Sequence, residues 1–357
     1  MEKIISYIMA LGIVIGGVDR IFGSKLGLGK KFEEGLMYLG SSTLAMAGII
    51  CLEPLFAALL QNGLTRACAF LGIDPAMSGA LLAVDMGGYL MARDLAVDPL
   101  MGRYAGMIVS TVLGGALTFY IPVGMGMIEE EDKDSLAKGV MIGMLASPVV
   151  IILGGLICGL SLWEILRNTW IIFLFILLLV IGLWKAPRAM VNGLKVFASI
   201  IIFITTIGLI LGAVAYVTGL ELLPGMDTIE NAVLVVAGMC IIMMGSLTIA
   251  EILQRLLKKP FEAIGRKTGL NGPSITGLLL GMIFSVPVFV LFKSMNRKGK
   301  IVNGAFLVCA GAFLGSSMAF VMNNEPSVLM AFVLSKLAGG AAAVGLALYW
   351  ERGTVQG

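Results

Sequence analysis

The amino-acid sequence predicts an all-α, polytopic membrane protein built from two structural repeats. Three observations support this prediction: the hydrophobic composition, the recurrence of long apolar stretches, and a similarity between the two halves of the chain. Of the 357 residues, 59% are hydrophobic and 13% are charged, whereas about a quarter of a typical soluble domain is charged. The spans are expected to be helices, because lipid offers no hydrogen-bond partner to an exposed backbone amide.

The apolar stretches predict about nine to eleven membrane segments, each long or nearly long enough to cross roughly 30 Å of hydrocarbon as a helix. The first, residues 4–22, is expected to be retained in the mature protein, because no small-residue cleavage site follows it. The stretches lie at residues 4–18, 35–50, 105–123, 139–160, 170–184, 196–217, 232–250, 274–292, 301–322 and 327–349, with a shorter one at 75–92.

A weak internal repeat relates the two halves of the chain. At one common offset, Pro75-Ala76-Met77-Ser78-Gly79-Ala80-Leu81-Leu82 aligns with Pro273-Ser274-Ile275-Thr276-Gly277-Leu278-Leu279-Leu280, and Glu53 aligns with Glu251. No linker rich in Ser or Pro interrupts the chain, so we expect a single membrane domain. Its parts are a first repeat at 1–160, a linker transmembrane helix at 161–193 and a second repeat at 194–357.

Basic residues indicate how the shorter Pro-initiated segments are oriented. Lys and Arg clusters flank residues 273–292 on both sides, and such clusters favour the cytoplasmic face. This segment is therefore expected to be a re-entrant hairpin broken near Pro287, and its repeat partner at 75–92 carries Gly87-Gly88 near the matching position. Two hairpins leave nine full spans and inverted halves, a plan common among transporters. Counting both as full spans gives eleven, with parallel halves.

The composition excludes several classes of function. The chain contains no histidine, which removes Ser-His-Asp hydrolysis, HExxH metal sites and His-based proton relays. The five cysteines are scattered through apolar segments without a CxxC motif, so neither a disulfide framework nor a metal site is implied. The net charge of +3 is too small to indicate nucleic acid as a partner. We expect no enzyme, no metal and no cofactor; an intramembrane aspartyl enzyme is a less favoured alternative.

Asp85 is the first candidate for a substrate-binding residue. It lies within Ala83-Val84-Asp85-Met86-Gly87-Gly88-Tyr89, and an ionisable residue inside a membrane is costly enough to invite a functional hypothesis. Tyr89 is four residues further on and would share its helix face. A carboxylate beside an aromatic ring suits an ammonium group. The alternative is a structural ion pair of Asp85 with Arg93 or Lys336.

Two further groups of polar residues are candidates. Asn323, Asn324 and Glu325 end one apolar segment, and Pro326 begins the next; they could line a polar cavity or form an ordinary surface loop. The second group comprises Glu53, Glu251 and Lys336, as gating or charge-pair residues. The two glutamates gain interest from the repeat, although snorkelling at the interface explains them equally well. Lys336 lies near the middle of the final span.

Several blocks of the sequence together resemble the EutH family of bacterial ethanolamine permeases. They are GGVDRIFG (16–23), GLGKKFEEGLMYLG (27–40), MAGIICLEP (46–54), GIDPAMSGALLAVDMGGYLMA (72–92) and NNEPSVLMAF (323–332). The resemblance covers essentially the whole chain. It implies a multi-pass protein of the bacterial inner membrane that takes up ethanolamine for cells which degrade it in a protein microcompartment. Ethanolamine and the lipid bilayer are then the partners, with a functional link to the microcompartment enzymes; a homodimer is a further expectation.

Ethanolamine is mainly a cation with one hydroxyl, so its site needs a negative charge, an aromatic wall and neutral hydrogen-bonding groups. Asp85, Tyr89, Asn323, Asn324 and Glu325 supply this chemistry, and their assembly into one pocket is a hypothesis. A channel for neutral ethanolamine or ammonia is the first alternative, and an enzyme acting on lipid head groups is the second. The sequence does not choose among facilitated diffusion, proton coupling and sodium coupling.

Overall fold

The computed structural model describes residues 2–81 and 88–353, and the described residues are helical with no β-strand. The main helices are α1 (Glu2–Ile21), α2 (Leu28–Leu71), α3 (Ala76–Leu81), α4 (Gly88–Leu95), α5 (Pro99–Tyr104), α6 (Ser110–Gly114), α7 (Gly124–Met127), α8 (Lys133–Cys158), α9 (Leu162–Lys185), α10 (Pro187–Thr218), α11 (Ile229–Thr268), α12 (Gly272–Gly281), α13 (Val286–Leu291), α14 (Arg297–Ala310), α15 (Ser316–Asn324) and α16 (Leu329–Gly353). π-Helical turns at Ala105–Val109 and Gly115–Tyr120 adjoin α6.

Eight helical segments within the described ranges are long and apolar enough to cross a membrane. Large apolar side chains such as those of Phe70 and Met37 are exposed on their surfaces, as expected of helices that face lipid. The prediction of an all-α polytopic membrane protein is confirmed. The eight segments are Lys3–Ile21, Leu28–Leu71, Pro99–Met127, Glu130–Cys158, Leu162–Lys185, Pro187–Thr218, Ile229–Thr268 and Pro326–Arg352.

The predicted span at 301–322 is not one continuous helix. The chain forms α14 and α15, separated by a turn in which Ala312 has a φ of 54°. The Ala312 amide donates to the Gly281 carbonyl at 2.8 Å, and the Leu314 amide donates to the Met282 carbonyl at 2.8 Å. The turn thus bonds to the break between α12 and α13. Two interrupted helices satisfy one another's backbone groups, which is how a membrane protein tolerates irregular backbone.

The chain divides into two compact units. The first contains the described parts of Met1–Gly114, Phe197–Ile249 and Ala319–Met330, and the second contains those of Gly115–Val196, Ala250–Met318 and Ala331–Gly357. Each unit therefore draws on both of the predicted sequence halves. The repeats at 1–160 and 194–357, with their linker helix, stay a prediction.

Within the first unit, small residues let long helices meet at their backbones. Gly48 of α2 lies against the backbone of α10 at Thr205, and Gly208 lies against the carbonyl of Gly48. Gly12 of α1 approaches Gly245 of α11 in the same way. Such contacts compensate for the lack of a hydrophobic driving force between helices in lipid.

The connection between α1 and α2 is held by one buried carboxylate. Asp19 accepts a hydrogen bond from the Leu26 amide at 2.9 Å through Oδ1 and another from the Gly29 amide at 2.7 Å through Oδ2. These amides belong to the loop and to the first turn of α2, where backbone donors lack helical partners. The neighbouring Arg20 instead pairs with Glu33 at 2.6 Å.

At each of the two Pro-initiated segments, a side chain before the segment bonds to backbone that follows it. In the first unit, Asp74 accepts from the amide of Ala76 at 2.9 Å and from that of Asp98 at 3.1 Å. In the second, the Asn271 amide group donates to the Ser294 carbonyl at 2.9 Å. In each unit, a side chain just before the segment thus bonds to backbone that follows it, and the re-entrant hairpins stay a prediction. The break in the second segment lies at residues 282–285, because Pro287 falls in the first turn of α13.

Candidate functional site

The candidate site lies in the first unit, where α4 meets the chain between α15 and α16. Tyr89 and Arg93 are four residues apart on α4 and share one face of that helix. Glu325 immediately follows α15, with φ −149° and ψ 68°, and precedes the short 3₁₀ turn that Pro326 begins. Proline favours this first position because its fixed φ suits the turn and its missing amide is not needed there.

Tyr89 is the centre of the site. The residue is 3% exposed, and its hydroxyl donates a hydrogen bond to Glu325 Oε2 at 3.3 Å. The ring meets that of Phe320 edge to face, with centroids 6.1 Å apart, a favoured arrangement for aromatic pairs. Residues far apart in sequence thus form a carboxylate–aromatic pair.

Positive groups surround this pair. The Arg93 guanidinium lies 5.9 Å from the centroid of the Tyr89 ring, within the range of a cation–π interaction. Arg103 Nη1 is 4.0 Å from Glu325 Oε1, and the Ser327 hydroxyl donates to the same oxygen. The Glu325 side chain is 21% exposed, so its charge is only partly screened by solvent. The Arg93 guanidinium thus already occupies a position beside the Tyr89 ring that would suit an ammonium group.

The asparagines are directed elsewhere. The Asn323 side-chain amide donates to the Val235 carbonyl of α11 at 3.3 Å, and the Asn324 amide donates to the Phe320 carbonyl of its own helix at 2.9 Å. Both side chains are half-buried. Of the predicted substrate-binding residues, the structure brings Tyr89 and Glu325 together. Asp85 lies outside the described residues.

Two acidic residues that sequence reasoning did not combine lie beside this site. The carboxyl of Glu53 in α2 faces that of Asp94 in α4 at hydrogen-bonding distance. Asp94 also pairs with Arg93, whose Nε is 2.7 Å from Asp94 Oδ1. One signal in the sequence points to Asp94: its neighbour Arg93 lies one helical turn after Tyr89, so the two charges lie beside the site. The adjacent charges of Arg93 and Asp94 instead indicated an ordinary segment end.

The other two gating or charge-pair candidates lie in the second unit. Glu251 pairs with Arg255 one turn along α11 at 2.8 Å. Lys336 is 2% exposed in α16, with Nζ 5.7 Å from the centroid of the Phe332 ring. Within residues 2–81 and 88–353, no group of three or more Cys, Asp or Glu side chains could hold a metal ion.

The helices and their exposed apolar surfaces define a multi-pass membrane protein. The family described as "Ethanolamine utilisation protein, EutH" matches residues 1–350, and the chain belongs to this family. It is 36% identical over 350 residues to the probable ethanolamine permease EutH of Listeria monocytogenes, covering 98% of this chain and 94% of that protein. It is 32% identical over 387 residues to the Escherichia coli protein of the same name, covering 98% and 95%.

A third relative is the uncharacterized protein YxeR of Bacillus subtilis, which is 32% identical over 344 residues. That alignment covers 96% of this chain and 93% of the relative. No solved structure matches the chain significantly. The resemblance found in the sequence blocks is thus confirmed at the level of the family.

Proposed function

We propose that the protein is an ethanolamine permease that takes up the ammonium form of ethanolamine across the bacterial inner membrane. The observation that carries this proposal is the half-buried carboxylate of Glu325, hydrogen-bonded to the Tyr89 ring that forms one wall of the site. The names of the Listeria and Escherichia relatives support the choice of substrate. A permease in this sense is a transporter and not an enzyme.

The proposed site recognises the two ends of ethanolamine by different groups. The ammonium group approaches Glu325 and the face of Tyr89, which attract it by charge and by cation–π interaction. The hydroxyl group requires a neutral partner, for which the side chains of Asn323 and Asn324 are the nearest candidates in sequence. Asp85 lies outside the described residues, and we propose it as a second carboxylate on the grounds of the sequence alone.

The arrangement of interrupted helices supports a transporter. We propose that the Pro-initiated segment of each unit is a re-entrant hairpin; π-helical turns interrupt the helical segment after the first, and a turn divides α14 from α15 after the second. We propose that these elements are the two inverted repeats indicated by the sequence. Secondary transporters of this plan bind substrate at broken helices near the middle of the bilayer. A homodimer and a link to microcompartment enzymes are further proposals from the family resemblance.

The test is uptake of labelled ethanolamine into proteoliposomes under an imposed inward-negative potential. The potential favours entry of one positive charge by about 2.3 kcal/mol per 100 mV. Wild-type protein should show saturable, potential-driven uptake. Glu325→Gln and Asp85→Asn should each reduce it by at least about tenfold, because an ion-paired hydrogen bond is worth roughly 1.5–3 kcal/mol. Glu262→Gln, at an exposed carboxylate of α11, is the matched control.

Different results would redirect the proposal. Uptake that does not saturate and does not respond to Glu325→Gln would indicate a channel for neutral ethanolamine or ammonia. Loss of uptake in Glu262→Gln as well would show that removing any carboxylate harms the preparation. A folded wild-type protein that takes up no ethanolamine would refute the proposed substrate.

A further inference from the structure

Glu53 is a buried carboxyl that the proposed substrate site does not use. It lies in the middle of α2 and is 6% exposed. No hydrogen-bond donor of the described residues reaches its Oε1. Burying an ionised carboxylate without a hydrogen-bond donor costs far more free energy than burying a neutral carboxyl group. The charged groups around Glu53 therefore decide whether its carboxyl is protonated or ionised.

Among the residues that the structure describes, three charged groups face Glu53 from the elements around α2. They are Asp94 and Arg93 of α4 and Asp227, which precedes α11. Arg93 is already paired with Asp94, so the positive charge beside this group is shared. Two carboxylates at hydrogen-bonding distance repel each other, and a single proton between them relieves this repulsion.

We propose that Glu53 and Asp94 form a proton-binding site in which the two carboxyls share one proton. The buried, donor-free oxygen of Glu53 marks the position at which an ionised pair would be least stable. Two ionised carboxylates are both hydrogen-bond acceptors, and the shared proton turns one of them into a donor. Glu53 is the buried member, and Asp94 is the member in contact with Arg93.

Asp227 connects this site with a surface cavity. Its backbone amide donates to the Cys51 carbonyl at 2.9 Å, two residues before Glu53 in α2. The same aspartate lines a cavity formed by the end of α10, the following loop and the start of α11, together with Glu221 and Glu230. A proton that leaves the carboxyl pair thus has an acidic, water-accessible surface nearby to receive it.

Arg93 links the proton site to the Tyr89 site, and this step rests on the proposed function. An ammonium group that approaches the Tyr89 ring repels the Arg93 guanidinium, which lies over the same ring. Arg93 then interacts more fully with Asp94, and the ionised form of the carboxyl pair becomes more stable. One proton leaves for water as one cation arrives, so the net charge of the whole site is unchanged. Ethanolamine binding should therefore release a proton.

The proton itself can be tested without any substrate. Infrared titration of the purified full-length protein in lipid nanodiscs would follow the C=O stretch of protonated carboxyl groups near neutral pH. We expect Glu53→Gln to remove a band that wild type and Glu262→Gln both retain, since Glu262 is an exposed carboxylate of α11. Asp94→Asn keeps Glu53 and should shift the band, so the test survives if Glu53→Gln does not fold.

A second measurement tests the link to substrate. Ethanolammonium chloride is added to the weakly buffered protein, and released protons and bound labelled ethanolamine are counted in the same sample, with potassium chloride as the blank. Wild type and Glu262→Gln should release up to one proton per ethanolamine, and Glu53→Gln should bind ethanolamine but release none. Binding without release in wild type would overturn the link. Absence of binding would refute the proposed function, while a band unaffected by Glu53→Gln and Asp94→Asn would refute the proton site.

Discussion

Replacement of Tyr89 separates the two interactions that the proposed site offers to an ammonium group. Tyr89→Phe keeps the ring and removes the hydroxyl that donates to Glu325 at 3.3 Å. Tyr89→Leu removes the ring as well. Because the two variants differ only in the aromatic face, their difference measures the cation–π contribution, provided that both proteins fold.

The structure sets the expected sizes. The hydrogen bond is long, and Glu325 keeps the Ser327 hydroxyl and a neighbouring guanidinium after the hydroxyl of Tyr89 is lost. We therefore expect Tyr89→Phe to weaken ethanolamine binding by about 1 kcal/mol, or roughly fivefold. Loss of the buried ring adds about 1–2 kcal/mol, so Tyr89→Leu should weaken binding by roughly 30- to 150-fold.

The assay is equilibrium binding of labelled ethanolamine to purified protein, with thermal unfolding as the check on folding. Tyr349→Phe and Tyr349→Leu are matched controls, because Tyr349 of α16 is 75% exposed. Both controls should bind as wild type does. A folded Tyr89→Leu protein that binds ethanolamine as well as Tyr89→Phe would refute the role of the aromatic face. Equal binding by all variants would remove Tyr89 from the site.

Asp19→Ala should lower the thermal unfolding midpoint, because it removes two charge-assisted hydrogen bonds to backbone amides, together worth about 3 kcal/mol or more. Gly208→Val should also lower this midpoint, by an overpacking cost of about 1–3 kcal/mol, whereas Gly63→Ala, which meets no atom within 4 Å, should not. Arg93→Gln should strengthen equilibrium binding of ethanolamine severalfold, because a competing cation leaves the Tyr89 ring; weaker binding in that assay would show that Arg93 supports the site.

Much of the fold could be predicted from the sequence because lipid constrains it strongly. Long apolar stretches indicate membrane helices, because lipid leaves backbone groups without other partners. The re-entrant segments that proline and basic flanks indicate stay a prediction. Hydropathy does not reveal the turn between α14 and α15, since both sides are apolar and the interruption is compensated by backbone bonds to the α12–α13 break. Such compensation depends on packing between segments, which no local pattern records.

The candidate site was predictable in its chemistry but not in its pairings. A ring and a carboxylate suit a cation, which singles out Tyr89 and Glu325 in the sequence, yet their contact joins residues 236 positions apart. Asn323 and Asn324 are adjacent to Glu325 in sequence, whereas their side-chain amides bond to backbone carbonyls. Successive residues at a helix end point in different directions. A run of polar residues therefore does not define a common pocket.

The position of Arg93 explains how one site could both hold and release a cation. In the structure this guanidinium interacts with the Tyr89 ring and with Asp94 at the same time. Under the proposed function, an arriving ammonium group competes for the ring, while Asp94 retains the displaced guanidinium nearby. Part of the binding energy is spent on this displacement, which keeps the affinity moderate. Moderate affinity suits a transporter, because a substrate bound too tightly would not leave on the other side of the membrane.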